Sequence, residues 1–135
     1  MKVFFDTNVL VAAFAARGFC ADLFELVLVR HQLVCGVNVL RELDKALVGK
    51  IKLPANQSKD IVRYVTEQAV AVVSGARAVN ADVDMDDAVV LGEALAGGAD
   101  VFVTGDAKVL ALTAIEQMPI KTPRQFWAFA QAERR

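Results

Sequence analysis

Short apolar segments alternate with longer helical patterns along this sequence, and this alternation constrains the fold more than any other feature. Apolar and β-branched runs predict strands at residues 2–5, 32–35, 69–73, 101–104 and 119–121. Apolar positions spaced three and four residues apart predict helices at residues 9–16, 21–30, 37–50, 56–68, 86–96, 107–112 and 123–131. Strands that alternate with helices pair in parallel and are covered on both faces. We therefore predict an α/β fold with a mainly parallel sheet.

The composition favours one globular domain over residues 1–135 and excludes several classes of protein. Apolar residues make up 56% of the chain and charged residues 23%, which excludes a disordered chain. The formal net charge of −1 provides no global basic field of the kind that marks many nucleic-acid binders. No run approaches the roughly 18 uncharged residues of a membrane-spanning helix, and Asp6 interrupts the first apolar run too early for a secretory signal. We expect a soluble, cytoplasmic protein with no membrane partner.

Acidic residues follow two of the predicted strands. Asp6 ends the segment Phe4-Phe5-Asp6, and Asp106 ends the segment Val103-Thr104-Gly105-Asp106. The carboxyl ends of parallel strands meet at one edge of a sheet, which is where such folds carry their chemistry. Two further sets of acids are candidates for the same edge: the cluster at residues 84–87 (DMDD), which opens a predicted helix, and Glu42, which borders the apolar stripe of the helix at 37–50.

These acids have two interpretations. Asp6, Asp86 and Asp106 each stand where a helix N-cap is favoured. Capping does not explain Glu42, nor why acids gather with Lys108 as the nearest cation in the sequence. Converging carboxylates repel one another unless a divalent cation binds them, and oxygen ligands favour Mg²⁺ or Mn²⁺. Such ions serve phosphate chemistry, so the residues predict metal-dependent phosphoester hydrolysis and leave the substrate open.

Four segments together resemble the PIN (PilT N-terminal) domain family. They are residues 5–10 (FDTNVL), 40–43 (LREL), 84–87 (DMDD) and 97–106 (GGADVFVTGD). Residues 121–126 (KTPRQF) are similar to the closing segment of the bacterial and archaeal subgroup that forms the toxin components of toxin–antitoxin pairs. The resemblance implies a three-layer α/β/α sandwich and a ribonuclease, by family tendency an endonuclease, that uses Mg²⁺ or Mn²⁺. It also implies an RNA substrate, a cognate antitoxin protein and a homodimer.

The family's functional residues carry over to positions in this chain. The resemblance assigns the catalytic and metal-binding acids to Asp6, Glu42, Asp87 and Asp106. It assigns supporting roles to Thr7, Asn8, Asp86 and Thr104. The choice of Asp87 as the direct ligand rests on its spacing to Gly98-Ala99, with Asp86 as the helix cap and as the alternative ligand.

The chain also departs from the family pattern at two places. Lys108 stands where many members carry a further aspartate. It either reduces the negative charge of the site, which leaves one versus two metal ions open, or contacts the scissile phosphate. Gly36-Val37-Asn38 stands where many members have a serine.

Two other functions compete with the nuclease. A phosphatase of the haloacid dehalogenase type also begins with a strand-end aspartate, but it needs a second acid where this chain has Asn8, and an amide cannot act as a general acid. A module that binds RNA or a protein partner would keep the acidic pocket without activity. Lys50 and Lys52 are candidates to line a groove for an RNA backbone, although most such lysines lie on solvated faces.

Overall fold

The computed structural model describes residues 1–133, which form a sheet of six strands with seven helices. The strands are β1 (Lys2–Phe5), β2 (Gln32–Gly36), β3 (Ala71–Val73), β4 (Val101–Val103), β5 (Ala114–Ile115) and β6 (Met118–Lys121). The helices are α1 (Thr7–Ala15), α2 (Phe19–Arg30), α3 (Val37–Gly49), α4 (Ala55–Gln68), α5 (Met85–Ala96), α6 (Ala107–Leu110) and α7 (Pro123–Glu133). No helix in this part of the chain is long and apolar enough to cross a membrane.

The strand order is β3-β2-β1-β4-β6-β5, and every neighbouring pair is parallel except β5 with β6. The predicted α/β sandwich with a mainly parallel sheet is confirmed. From β1 the chain first adds strands on one side, through β2 to β3, and then continues on the other side from β4. The strand order therefore reverses between β1 and β4, and the carboxyl ends of two such strands are where open α/β sheets bind ligands.

The pairing of β1 with β4 sets the relative positions of the residues that follow them. Phe5 is in register with Val103, so Asp6 and Thr104 emerge side by side at the same edge. The Asp6 amide donates to the Val103 carbonyl at 2.9 Å, which continues the pairing by one residue. The rings of Phe4 and Phe102 stack at a centroid distance of 5.5 Å in the core, and both side chains are buried. A rigid, apolar base thus supports the polar edge of the sheet.

Several element bounds differ from the predicted ones. Helix α1 begins at Thr7, two residues before its first strongly apolar position, because the Asp6 carboxylate accepts a hydrogen bond from the Thr7 amide and caps the helix there. Strand β5 was not predicted, since its two residues are too few to show any periodicity. It exists because the chain folds back in an antiparallel pair with β6.

Candidate active site

Asp6 lies at the centre of the candidate site, directly after β1. Its side chain is only 6% exposed, yet both carboxylate oxygens are hydrogen-bonded. Oδ1 accepts from the Thr7 amide at 2.8 Å. Oδ2 accepts from the Thr104 hydroxyl at 2.8 Å and from the Asn8 side-chain amide at 3.2 Å. All of these donors are neutral, so they fix the orientation of the carboxylate without neutralising its charge.

Thr104 joins the ends of β1 and β4 into one polar network. Its side chain is fully buried. The hydroxyl donates to Asp6 and accepts from the backbone amide of Asp106 at 3.0 Å. Asn8 donates to the same hydroxyl at 3.2 Å, and its carbonyl oxygen accepts from the Gly105 amide at 2.8 Å. The residues that the sequence assigned to supporting roles at this edge, Thr7, Asn8 and Thr104, all contact Asp6.

Glu42 reaches the same place from α3. Its Oε2 accepts a hydrogen bond from the Thr7 hydroxyl at 2.7 Å. Thr7 therefore bridges two acids, since its amide bonds Asp6 and its hydroxyl bonds Glu42. The side chain is half-buried, in agreement with its predicted place beside the apolar stripe of the helix.

The start of α5 corrects one prediction. Asp84, and not Asp86, is the N-cap of this helix, because its Oδ1 accepts from the Asp87 amide at 2.9 Å. The helix starts one residue earlier than its apolar pattern indicates, which moves Asp86 and Asp87 into the first turn. Both then face the same cleft as Asp6. Carboxylates in a first helical turn interact favourably with the positive end of the helix dipole.

Asp106 follows β4 and caps the short helix α6. Its Oδ1 accepts from the Lys108 amide at 2.8 Å. Lys108 contributes this backbone contact, and its side chain is not among the residues that line the cleft in the described part of the chain. Asp106 itself lines the cleft, so the capping and cleft-facing interpretations both hold for it.

These side chains surround one open cleft of about 660 Å³. Its lining includes the four predicted acids, Asp6, Glu42, Asp87 and Asp106, together with Thr7, Asn8 and Asp86. Lys45 of α3 and Lys50, the residue directly after this helix, line the same cleft. None of the acids is in an ion pair, since the one salt bridge found within residues 1–133 joins Arg63 to Asp60. Of the two lysines singled out from the sequence, Lys50 lines the cleft and Lys52 is not among its described lining residues.

Burial and mutual repulsion raise the pKa values of the acids in the cleft. Desolvation raises the pKa of Asp6 and outweighs the hydrogen bonds from Thr104 and Thr7. The pKa of Asp87 rises to about 6, first through desolvation and then through the charges of Asp84, Asp6 and Asp106. Carboxyl groups with raised pKa values in a cleft are candidates for a functional site.

The same electrostatic effects couple particular acids of the cleft. Asp87 interacts with Asp6 and Asp106, which makes these three a group. Desolvation raises the pKa of Glu42, and smaller contributions come from the charges of Asp6, Asp86 and Glu93. The charge of Asp86 thus acts on Glu42, whereas the charges of the two strand-end aspartates act on Asp87.

The donor set suits a hard divalent cation, since it consists of carboxylate oxygens with hydroxyl and amide oxygens beside them. Within residues 1–133, no three His, Cys, Asp or Glu side chains form a preassembled metal cluster. The cleft nevertheless fits a divalent cation for two reasons: its donors are oxygen atoms, and no cation among the described residues forms a salt bridge with its acids.

Sequence reasoning missed Glu93, an acid on α5 that is fully buried. Its Oε2 accepts from the Asn38 amide and from the Asn38 side chain, both at 3.0 Å. A signal for it exists in the sequence, because Glu93 is the one charged residue in the otherwise apolar stretch 88–96. A lone charge on the buried face of a helix needs a partner, and that expectation points to a structural or functional contact.

These features define an α/β protein with a carboxylate-lined cleft where the strand order of its sheet reverses. Comparison with known proteins identifies the family. The chain matches the model of the PIN domain over residues 2–108. It belongs to the PIN domain family, as its sequence motifs predict. Members of this family are generally nucleases and generally use divalent metal ions.

Solved structures with the same fold include two VapBC structures. One is the crystal structure of VapBC2 from Rickettsia felis bound to a DNA fragment from the VapBC2 promoter, which matches with a TM-score of 0.62. The two sequences are 16% identical, and the match covers 90% of this chain and 98% of that chain. VapBC-1 from nontypeable Haemophilus influenzae matches with a TM-score of 0.66 and 19% identity over 92% of this chain and 99% of that chain. No curated protein matches the sequence significantly.

Proposed function

We propose that this PIN domain is a metal-dependent ribonuclease that hydrolyses phosphodiester bonds. The observation that carries the proposal is the convergence of four acids from four separate segments in one cleft without a paired cation. Such an arrangement costs electrostatic free energy in the folded state, as the raised pKa values of Asp6, Glu42 and Asp87 indicate. A cation bound between the acids removes that cost, which supports a metal-binding function for the cleft.

In this proposal Asp6, Asp87 and Asp106 hold the ion, and Glu42 contributes to the same site directly or through water. Asp87 is preferred to Asp86 because the charges of Asp6 and Asp106 contribute to its raised pKa. When bound, Mg²⁺ or Mn²⁺ activates water and stabilises charge on the leaving oxygen during phosphodiester hydrolysis.

The chain's own neutral groups prepare this site. The donors from Thr7, Asn8 and Thr104 fix the Asp6 carboxylate in one orientation, which lowers the entropy that is lost when a ligand binds. Lys45 and Lys50 are exposed, line the same cleft and are placed to contact phosphates of an RNA backbone that flank the cleavage site.

We further propose that the chain is the toxin of a toxin–antitoxin pair, is cytoplasmic as one domain, and acts as an endonuclease. The family and the shared fold with VapBC complexes support a nuclease toxin with an antitoxin partner. The closing segment at residues 121–126, which resembles that of the toxin subgroup, supports the same assignment. A homodimer is proposed on the family resemblance alone.

The proposal is tested by incubating the purified chain with total RNA in the presence of Mn²⁺, Mg²⁺ or EDTA, with Asp6→Asn beside the wild type. We expect cleavage that needs metal and falls by at least about a hundredfold in the variant. Asp60→Asn, which makes the same chemical change on the exposed face of α4, is the matched control and should cleave like the wild type. Full cleavage by Asp6→Asn would refute the assignment of the site. Metal binding and RNA binding without cleavage would favour the binding module instead.

A further inference from the structure

Glu93 is a fully buried carboxylate in the middle of α5. Its two hydrogen bonds both come from Asn38 and both end on Oε2. Oε1 has no hydrogen-bond partner among the described residues. Burial of a carboxylate is costly unless donors or positive charge compensate for it, so these contacts require an explanation.

The contacts of Glu93 lie at the beginning of α3. The N-cap of this helix is Gly36, which has no side chain and therefore makes no capping hydrogen bond. The first N–H groups of any helix have no partner within the helix. Asn38 is the second residue of α3, and its N–H finds its acceptor on Glu93 of another helix. A carboxylate at this position also interacts favourably with the helix dipole.

The Glu93 carboxylate occupies the space that a side chain at position 36 would fill. A Cβ atom at position 36 would overlap the Glu93 carboxylate directly, with Oε1, Cδ and Oε2 as its nearest neighbours. The absence of a side chain at Gly36 is thus what allows Glu93 to approach the start of α3. The Gly36–Glu93–Asn38 contact joins the helix that carries Glu42 to the helix whose first turn carries Asp87.

We propose that Glu93 is a positioning residue that caps α3 from α5 and thereby fixes Glu42 relative to Asp87. Asn38 and Glu42 are one helical turn apart, so a helix start held at Asn38 holds the turn that presents Glu42. The inference rests on the proposed function for its catalytic meaning. The cap itself can be measured without metal or RNA.

The test compares Glu93→Gln, Glu93→Ala, Gly36→Ala and the double variant Gly36→Ala/Glu93→Ala. The first readout is hydrogen exchange of the Asn38 amide in metal-free protein, and the second is Mn²⁺ affinity by calorimetry. Glu93→Gln keeps an acceptor oxygen and should retain both properties within a few-fold. Glu93→Ala should speed Asn38 exchange and weaken Mn²⁺ binding by about tenfold, the scale of effects from residues behind metal ligands.

The double variant separates capping from packing. Gly36→Ala alone should lower the unfolding temperature, because the added methyl group displaces the carboxylate. Removal of that carboxylate in the double variant should restore much of the unfolding temperature, while Asn38 exchange and Mn²⁺ affinity stay at the level of Glu93→Ala.

Three results would overturn the proposal. The first is that Glu93→Ala keeps the wild-type rate of Asn38 exchange and the wild-type Mn²⁺ affinity. The second is that the double variant recovers both properties. The third is that Glu93→Gln loses as much protection of Asn38 and as much Mn²⁺ affinity as Glu93→Ala. If the wild type binds no Mn²⁺, the proposed function fails, and the exchange data still report whether Glu93 caps α3.

Discussion

Asp6 combines two roles that sequence reasoning presents as alternatives. One carboxylate oxygen caps α1 through the Thr7 amide, and the same side chain lines the acidic cleft. Asp106 does the same for α6. A strand-to-helix junction places the capping residue at the carboxyl edge of the sheet, so the position that suits an N-cap also faces the ligand. The presence of a cap is therefore no argument against a functional role here.

The raised pKa of Asp87 predicts how the stability of the metal-free protein depends on pH. The folded-state pKa of about 6 lies above the ordinary value of 3.8, so the fold favours the protonated carboxyl group. The protonated Asp87 carboxyl group contributes fully to the stability of the fold below about pH 4, and this contribution is lost as the pH rises through about 6. Asp6 and Glu42 shift in the same direction.

We expect the unfolding temperature of metal-free Asp87→Asn to exceed that of the wild type by an amount that grows between about pH 4 and pH 7. The difference should shrink or reverse when Mn²⁺ is added, since a cation favours the deprotonated carboxylate. Thermal unfolding followed by circular dichroism over this pH range measures both effects. A difference that is independent of pH would show that Asp87 is not desolvated and repelled in the fold.

At the scale of elements, the position of α5 depends on a close backbone contact. A Cβ atom at Gly92 would overlap the carbonyl oxygen of Arg77, so glycine allows the segment before α5 to lie against the helix. The Val79 amide donates to the Ala88 carbonyl at 3.0 Å and fixes the same segment. This segment leads to Asp84, the cap of the helix.

Gly92→Ala should therefore destabilise the fold by about 1–3 kcal/mol, as overpacking does elsewhere. Gly49→Ala is the matched control, because a Cβ atom there meets nothing within 4 Å. This control should be neutral or stabilise by about 0.5–1 kcal/mol through its effect on the unfolded chain. Urea unfolding of both variants decides the matter, and equal stability of the two would contradict the close contact.

The elements also show what the sequence could and could not predict. Strong apolar patterns predicted all the longer helices and the buried strands, and strand-end position predicted that Asp6 and Asp106 lie at one edge. Glu42 was placed by helical periodicity. Glu93 and Asp84 were missed as partners, because their contacts with Asn38 and Asp87 depend on tertiary approach or on a one-residue shift of a helix start. Neither of these follows from periodicity alone.

At the scale of the whole molecule, a net charge of −1 hides a local concentration of charged residues in the cleft. Acids line the cleft together with Lys45 and Lys50, and Lys45 is on the same helix as Glu42. A polyanionic substrate can then be held near the acids without a basic surface over the whole protein.

Replacement of Lys45 and Lys50 by alanine should weaken RNA binding and its salt dependence. Each lost phosphate contact lowers the slope of log affinity against log salt by about 0.7 for a single strand, so the double variant should lose about 1.4. Fluorescence anisotropy with a short single-stranded RNA, in an Asp6→Asn background that does not cleave, measures this slope. The double variant Lys52→Ala/Lys59→Ala, whose lysines are exposed, is the control. An equal slope change in both double variants would contradict a specific role for the cleft wall.

A calorimetric titration of Mn²⁺ into the metal-free chain near pH 7 tests whether the acids of the cleft bind a metal ion. Wild type, Asp87→Asn, Asp86→Asn and Asp60→Asn are compared. We predict binding by the wild type, unchanged binding by Asp60→Asn, a modest loss in Asp86→Asn, and a loss of more than about a hundredfold in Asp87→Asn. No Mn²⁺ binding by the folded wild type, or equal affinity in all four proteins, would contradict a metal site in the cleft.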